Sequence, residues 1–90
     1  MHRLVYTRQF LDQFDGQPET LRDAVERTID RLALDAELGK PLLGRLAGFR
    51  AIRIGNYRLL YTIEGSGTRR QVVLRSFRHR ALAYGRRRHR

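Results

Sequence analysis

FRAIRIGNYRLLYTI, residues Phe49 to Ile63, places two runs of alternating apolar and basic residues on either side of Gly55-Asn56. That dipeptide supplies the positive φ angles a two-residue hairpin loop needs, so the stretch reads as two antiparallel strands joined by a tight reversal. The register follows from the loop: Ile54 pairs with Tyr57, Arg53 with Arg58, Ile52 with Leu59 and Ala51 with Leu60. Strand side chains alternate between faces, which sends Ile52, Ile54, Tyr57, Leu59, Tyr61 and Ile63 to one side and Arg53 and Arg58 to the other. The first side is a core face. On the second, two guanidinium groups stand opposite each other, a repulsive pair unless an anion lies between them. The hairpin is therefore read as a phosphate holder.

Working outward, residues 2–6 (HRLVY) form a short strand with Leu4 and Tyr6 on one face. Thr7 is an N-cap for a helix over 8–15 that aligns Phe10, Leu11 and Phe14. Pro18 opens a second helix, with Glu19, Asp23 and Glu26 near its positive end. Leu21, Val25, Thr28/Ile29 and Leu32 recur at helical spacing, so this helix runs to about residue 34. Residues 35–41 (DAELGKP) read as a loop, 64–70 as a flexible turn, 71–77 (QVVLRSF) as a last strand and 78–84 as a short helical turn. The order is β-α-α-β-β-β: an α+β fold with two N-terminal helices on one face of a small, mostly antiparallel four-stranded sheet. Two helices cover only one face, so the other is open and basic. Residues 1–90 make one domain, with 85–90 (GRRRHR) a basic tail.

Charge is divided unevenly along the chain. Residues 1–44 hold six Lys/Arg against eight Asp/Glu, a balance of −2, whereas residues 45–90 hold thirteen Arg against Glu64 alone, a balance of +12. A field concentrated on one part of a small domain implies a polyanionic partner. Of nineteen basic residues only Lys40 is not arginine, and arginine is the better bidentate partner for phosphate. With no cysteine, a disulfide scaffold and a thiolate zinc site are excluded. No metal constellation is read from His2 or His89, and no cofactor is expected. The opening MHRLVYTRQF lacks an apolar signal region, and no apolar run nears the ~20 residues of a membrane span, so a cytoplasmic protein without a membrane partner is expected.

Two segments, GKPLLGRLAGFRAIRIGNYRLLYTIE (Gly39–Glu64) and VVLRSFRHRALAY (Val72–Tyr84), resemble the RelE/ParE superfamily of bacterial type II toxins. The shared features are a Gly-Lys-Pro-Leu stretch, an arginine-rich hairpin with Tyr-Arg after its turn, and a His-Arg-x-x-x-Tyr ending. The resemblance implies a toxin encoded beside an antitoxin, bound to it as a hetero-oligomer. RelE-like members are metal-independent endoribonucleases that cut mRNA on the ribosome and so inhibit translation, driving the ribose 2′-hydroxyl against its adjacent phosphate. ParE-like members share the fold but inhibit DNA gyrase without nuclease activity. The RelE-like activity is the leading expectation and the gyrase inhibitor its alternative.

Carried over residue by residue, Arg58 matches the hairpin arginine that contacts the scissile phosphate and Arg53 a second basic position. His79 and Arg80 match the basic pair after the last strand, and Tyr84 the terminal tyrosine. Ala51 stands where some members have another lysine. Fixed guanidinium donors suit the extra charge of a phosphorane, but arginine stays protonated. Proton transfer therefore points to His79, histidine being the side-chain type suited to acid or base work near neutrality, or to Tyr84, which would need surrounding arginines to lower its pKa. Arg50, Arg75 and Arg78 are further candidates for RNA contact, Arg50 at the rim of the core face and Arg75 subject to an unfixed register. Arg53 and Arg58 are expected to share one hollow with His79 and Tyr84.

Overall fold

In the computed structural model, which describes residues 1–82, the elements form where local chemistry asks for them. Strand β1 (Arg3–Tyr6) ends at Thr7, whose hydroxyl oxygen accepts the Phe10 N–H at 3.2 Å and so starts helix α1 (Arg8–Asp15). The same hydroxyl donates to the Leu74 carbonyl at 2.7 Å, which fixes the helix to the sheet as it begins. Helix α2 (Glu19–Leu34) follows Pro18, which lacks the amide hydrogen the preceding helix would need to continue. Val25, Ile29, Leu32 and Ala33 are its buried stripe.

The sheet has five strands rather than the expected four, in the order β1-β5-β4-β3-β2. The extra strand is β2 (Lys40–Pro41), inside the segment read as a loop; Lys40 pairs with Ala51 and Pro41 with Arg50. Two residues, one a proline, carry no periodic signal, and proline is tolerated here because β2 is an edge. Strands β3 (Phe49–Ile54) and β4 (Tyr57–Glu64) pair in the expected register, Ile54 with Tyr57 through Ala51 with Leu60. In the reversal only Gly55 takes a positive φ, 60°, and Asn56 does not, the pattern of a hairpin turn with glycine first.

Strand β5 (Gln71–His79) lies between β1 and β4, parallel to the first and antiparallel to the second. Its pairing with β4 shifts between Leu60 and Tyr61: Leu60 faces Ser76 and Tyr61 faces Leu74, leaving Arg75 as a bulge. β1 pairs with β5 only as far as Leu74. Beyond it, the Phe77 N–H donates to Gln13 Oε1 of α1 at 2.7 Å, so the exposed edge of β5 still finds an acceptor.

Between helices and sheet lies the core of Phe10, Val25, Ile29, Leu32, Leu59, Tyr61, Val72, Leu74 and Phe77. Tyr61 is fully buried and satisfies its hydroxyl twice, donating to the Ala36 carbonyl at 2.7 Å and accepting the Gly39 N–H at 2.8 Å. That pair of bonds ties the 35–39 segment to β4 and delivers Lys40 to the sheet edge. No helix among the described residues is long and apolar enough to cross a membrane.

Candidate phosphate-binding site

On the face away from the helices, the strand register builds a row of like charge. Arg53 of β3 pairs with Arg58 of β4, and Arg58 pairs in turn with Arg78 of β5. Three arginines thus stand in register on one face across three strands. Such a row is unfavourable on its own, since like charges directly opposite on one sheet face repel.

The other arginines of the sheet are differently placed. Arg75 reaches the open face from its bulge, donating to Thr62 Oγ1 at 3.1 Å and pairing with Glu64 at 3.3 Å. Arg70 pairs with Glu37 at 2.7 Å. Arg50 is opposite Tyr61 and donates to the carbonyls of Gly39 at 2.6 Å and Glu37 at 3.2 Å, so it caps the loop that leads into β2. Neither Arg53, Arg58 nor Arg78 has a carboxylate within ion-pair distance among the described residues. Within the row, and among the described residues, Arg58 and Arg78 donate only to backbone carbonyls, those of Tyr57 and Leu82, each at 3.4 Å.

Beside the row, Lys40, Leu42, Ala51, Arg53 and Arg58 line a concavity of about 350 Å³. Lys40 belongs to the same face because it pairs with Ala51, two residues before Arg53. Neither Lys40 nor Leu42 is among the candidates that the sequence offers, since both lie in segments without strand periodicity. Buried on this face are Leu60, Thr62, Val73 and Ser76; long neighbouring stems can cover such positions while their charged ends stay in water.

His79 does not share this hollow. It pairs with Tyr57, whose side chain is on the helix side, and the two rings meet edge to face at 5.6 Å. Tyr57 in turn stacks on Phe77 at 5.0 Å. Residues 78 and 79 alternate along one strand, so Arg78 joins the arginine row and His79 goes to the opposite face. The exposed imidazole accepts the Ala81 N–H on Nδ1 at 3.2 Å. Arg80 follows in a turn whose backbone N–H donates to the Asn56 carbonyl at 2.8 Å, setting it against the hairpin tip with its side chain exposed. Tyr84, the remaining candidate, lies outside the described residues, as does the 85–90 tail.

A basic row on the open face of a helix-backed, β-α-α-β-β-β-β sheet is the geometry that comparison with known proteins meets. Residues 3–84 match the family described as the ParE toxin of the parDE type II toxin–antitoxin system. This chain belongs to that toxin family, within the RelE/ParE superfamily. Among solved structures, the toxin is similar to the YoeB/ParE toxin from Agrobacterium tumefaciens, with 25% identity, a TM-score of 0.74, and 86% of this chain and 97% of that one covered. It is also similar to a chain of the RelBE2 toxin–antitoxin complex from Mycobacterium tuberculosis, with 31% identity, a TM-score of 0.74, and coverage of 87% and 96%. The intact Escherichia coli RelBE complex shares the fold at 15% identity, with a TM-score of 0.70 over 88% and 96% of the two chains. Comparison with curated proteins gives no match.

Proposed function

We propose that this toxin is an endoribonuclease that cuts mRNA on the translating ribosome, and that a cognate antitoxin holds it inactive. The observation that carries the reading is the row of Arg53, Arg58 and Arg78, three neighbouring cations without a carboxylate partner among the described residues. A fold that keeps such a row gains most from it when a phosphate lies between the charges.

In the reaction, the ribose 2′-oxygen attacks the adjacent phosphorus as its proton is removed. The bond from phosphorus to O5′ breaks, and O5′ takes up a proton. The products carry a 2′,3′-cyclic phosphate and a 5′-hydroxyl. Arg58 and Arg53, with Arg80 beside the hairpin tip, hold the equatorial oxygens as charge builds. Arg78 and Arg75 extend the basic surface along the strand of RNA, with Arg50 at its margin. Proton transfer falls to Tyr84 or His79, because guanidinium does not give up its proton. Every role in this scheme is filled by a side chain, with no call on a metal or cofactor.

The solved complexes from M. tuberculosis and E. coli pair a RelE-type toxin with an antitoxin, which supports a hetero-oligomer here too. An acidic amphipathic segment, ordering itself as it binds, suits the basic open face. Action on ribosomes places the toxin in the cytoplasm.

Mapping the 5′ ends of transcripts after brief induction tests the reading. Cuts inside translated codons are expected, and Arg58→Ala is expected to abolish both cuts and growth arrest. Growth arrest by Arg58→Ala equal to that of the parent, with transcripts intact, would overturn it. One observation favours a second reading, inhibition of gyrase: the family matched over residues 3–84 is that of ParE. Blocked supercoiling by purified toxin, without cuts in translated codons, would decide for gyrase.

A further inference from the structure

We propose that Lys40 is a third contact for the phosphodiester of a single-stranded RNA, acting with Arg53 and Arg58 from the edge strand β2. This rests on the ribonuclease reading and assigns a residue outside the hairpin to the same site. Lys40 pairs with Ala51 and so shares the face of Arg53, and together with Leu42, Ala51, Arg53 and Arg58 it lines the 350 Å³ concavity. Its side chain is exposed and, among the described residues, has no carboxylate within ion-pair distance.

The position is built rather than incidental. The residue before Lys40 is held from both sides, its N–H by the Tyr61 hydroxyl at 2.8 Å and its carbonyl by Arg50 at 2.6 Å. Pro41 follows with a fixed φ. A buried tyrosine and a dedicated arginine therefore set where the ammonium enters. Small Ala51 opposite leaves the concavity open, and Leu42 and Ala51 offer apolar surface to a ribose between charged contacts. The ammonium is a compact point charge on a flexible stem, whereas the two guanidinium groups are rigid forks. Such a set grips one phosphate from a further direction without needing a third fork.

Lys40 is also the chain's only lysine, which gives a direct test. The intact toxin is acylated with an amine reagent, alone, with a short single-stranded RNA and with inorganic phosphate at equal phosphate concentration. Labelling is read by peptide mass spectrometry. The α-amine of Met1 serves as internal control, because β1 and β2 are opposite edges of the sheet. RNA at about ten times its Kd, measured by anisotropy, is expected to slow labelling of Lys40 about tenfold and leave the Met1 amine unchanged. Equal protection by inorganic phosphate would reduce the site to a general anion seat and overturn the RNA assignment.

In parallel, Lys40→Met is expected to lower the salt slope of RNA binding by about 0.7, the value for one lost contact to a single strand, with Lys40→Arg restoring it. Full-rate labelling of Lys40 in the RNA complex, or an unchanged slope in Lys40→Met while Arg58→Ala weakens binding, would remove Lys40 from the site and leave the ribonuclease reading standing. Absence of RNA binding by the parent, with transcripts uncut in cells, would remove both.

Discussion

Gly39 and Tyr61 approach so closely that position 39 admits no side chain: a Cβ there would lie 2.7 Å from the tyrosine Cε1 and 3.1 Å from the Ala51 carbonyl oxygen. The same tyrosine hydroxyl accepts the Gly39 N–H. Gly39→Ala must therefore push the 35–39 segment, and Lys40 with it, off the β3 edge. Overpacking of this kind costs about 1–3 kcal/mol, and thermal unfolding should show a drop of roughly 4–8 °C for each kcal/mol in a domain of this size. Tyr61→Phe keeps the packing but orphans the Ala36 carbonyl and the Gly39 N–H, for a loss of about 1–3 kcal/mol. Equal melting temperatures for parent and both variants would show that this contact does not hold β2.

Replacing Arg53, by contrast, is expected to stabilise the free protein. Its side chain is exposed and stands opposite Arg58, which has Arg78 on its other side. Removing one charge relieves repulsion worth about 0.2–1 kcal/mol, so Arg53→Gln should melt slightly higher than the parent at low salt. Added sulfate should raise the parent more than the variant, because the parent has more unneutralised charge for the anion to bridge. A variant that melts lower at low salt, with no difference in response to sulfate, would show that the row is not under electrostatic tension.

How much of this was legible in the sequence varied by element. Alternation on both sides of Gly55-Asn56 was enough to set Arg53 opposite Arg58, since a two-residue loop leaves only one register. The β2 strand was not legible: Lys40 and Pro41 carry no pattern of their own, and they reach the sheet edge because the Gly39 N–H is held by Tyr61, 22 residues away. Nor was the face of His79. The bulge at Arg75 breaks the two-residue alternation of β5, and only its position fixes which side Arg78 and His79 take. Local periodicity read the hairpin, and long-range contacts decided what joined it.

Acid should weaken one tie on the helix side of the sheet. Arg70 donates a 2.7 Å hydrogen bond to Glu37, and this bond, helped by the nearby charges of Arg70 and Arg50, holds the Glu37 carboxyl below its ordinary value of 4.5. A carboxylate with a depressed pKa contributes stability that is present above its unfolded pKa and lost as pH falls through the folded one. The melting temperature of the parent should therefore fall more steeply below about pH 4.5 than that of Glu37→Gln. High salt should shrink the difference, because the pair is solvent-exposed. Parallel curves for the two proteins across this range would show that Glu37 has no part in the acid limb.

The opposite placement of Arg78 and His79 also divides the candidates for proton transfer. His79 stands on the helix side against Tyr57, and its Nδ1 is engaged by the Ala81 N–H, whereas the row of Arg53, Arg58 and Arg78 occupies the open side. A group that transfers a proton must come within hydrogen-bond reach of the reacting oxygen, and from that face His79 does so only around the end of β5. His79→Gln is accordingly expected to slow ribosome-dependent cleavage by less than about tenfold, while Tyr84→Phe slows it by about 10²–10⁴, the range for loss of a general acid or base. Single-turnover cleavage of mRNA on purified ribosomes, followed across pH, separates the two. If His79→Gln flattens the neutral limb of the profile and costs as much as Tyr84→Phe, the strand end must swing over the open face in the working complex, and the assignment passes to His79.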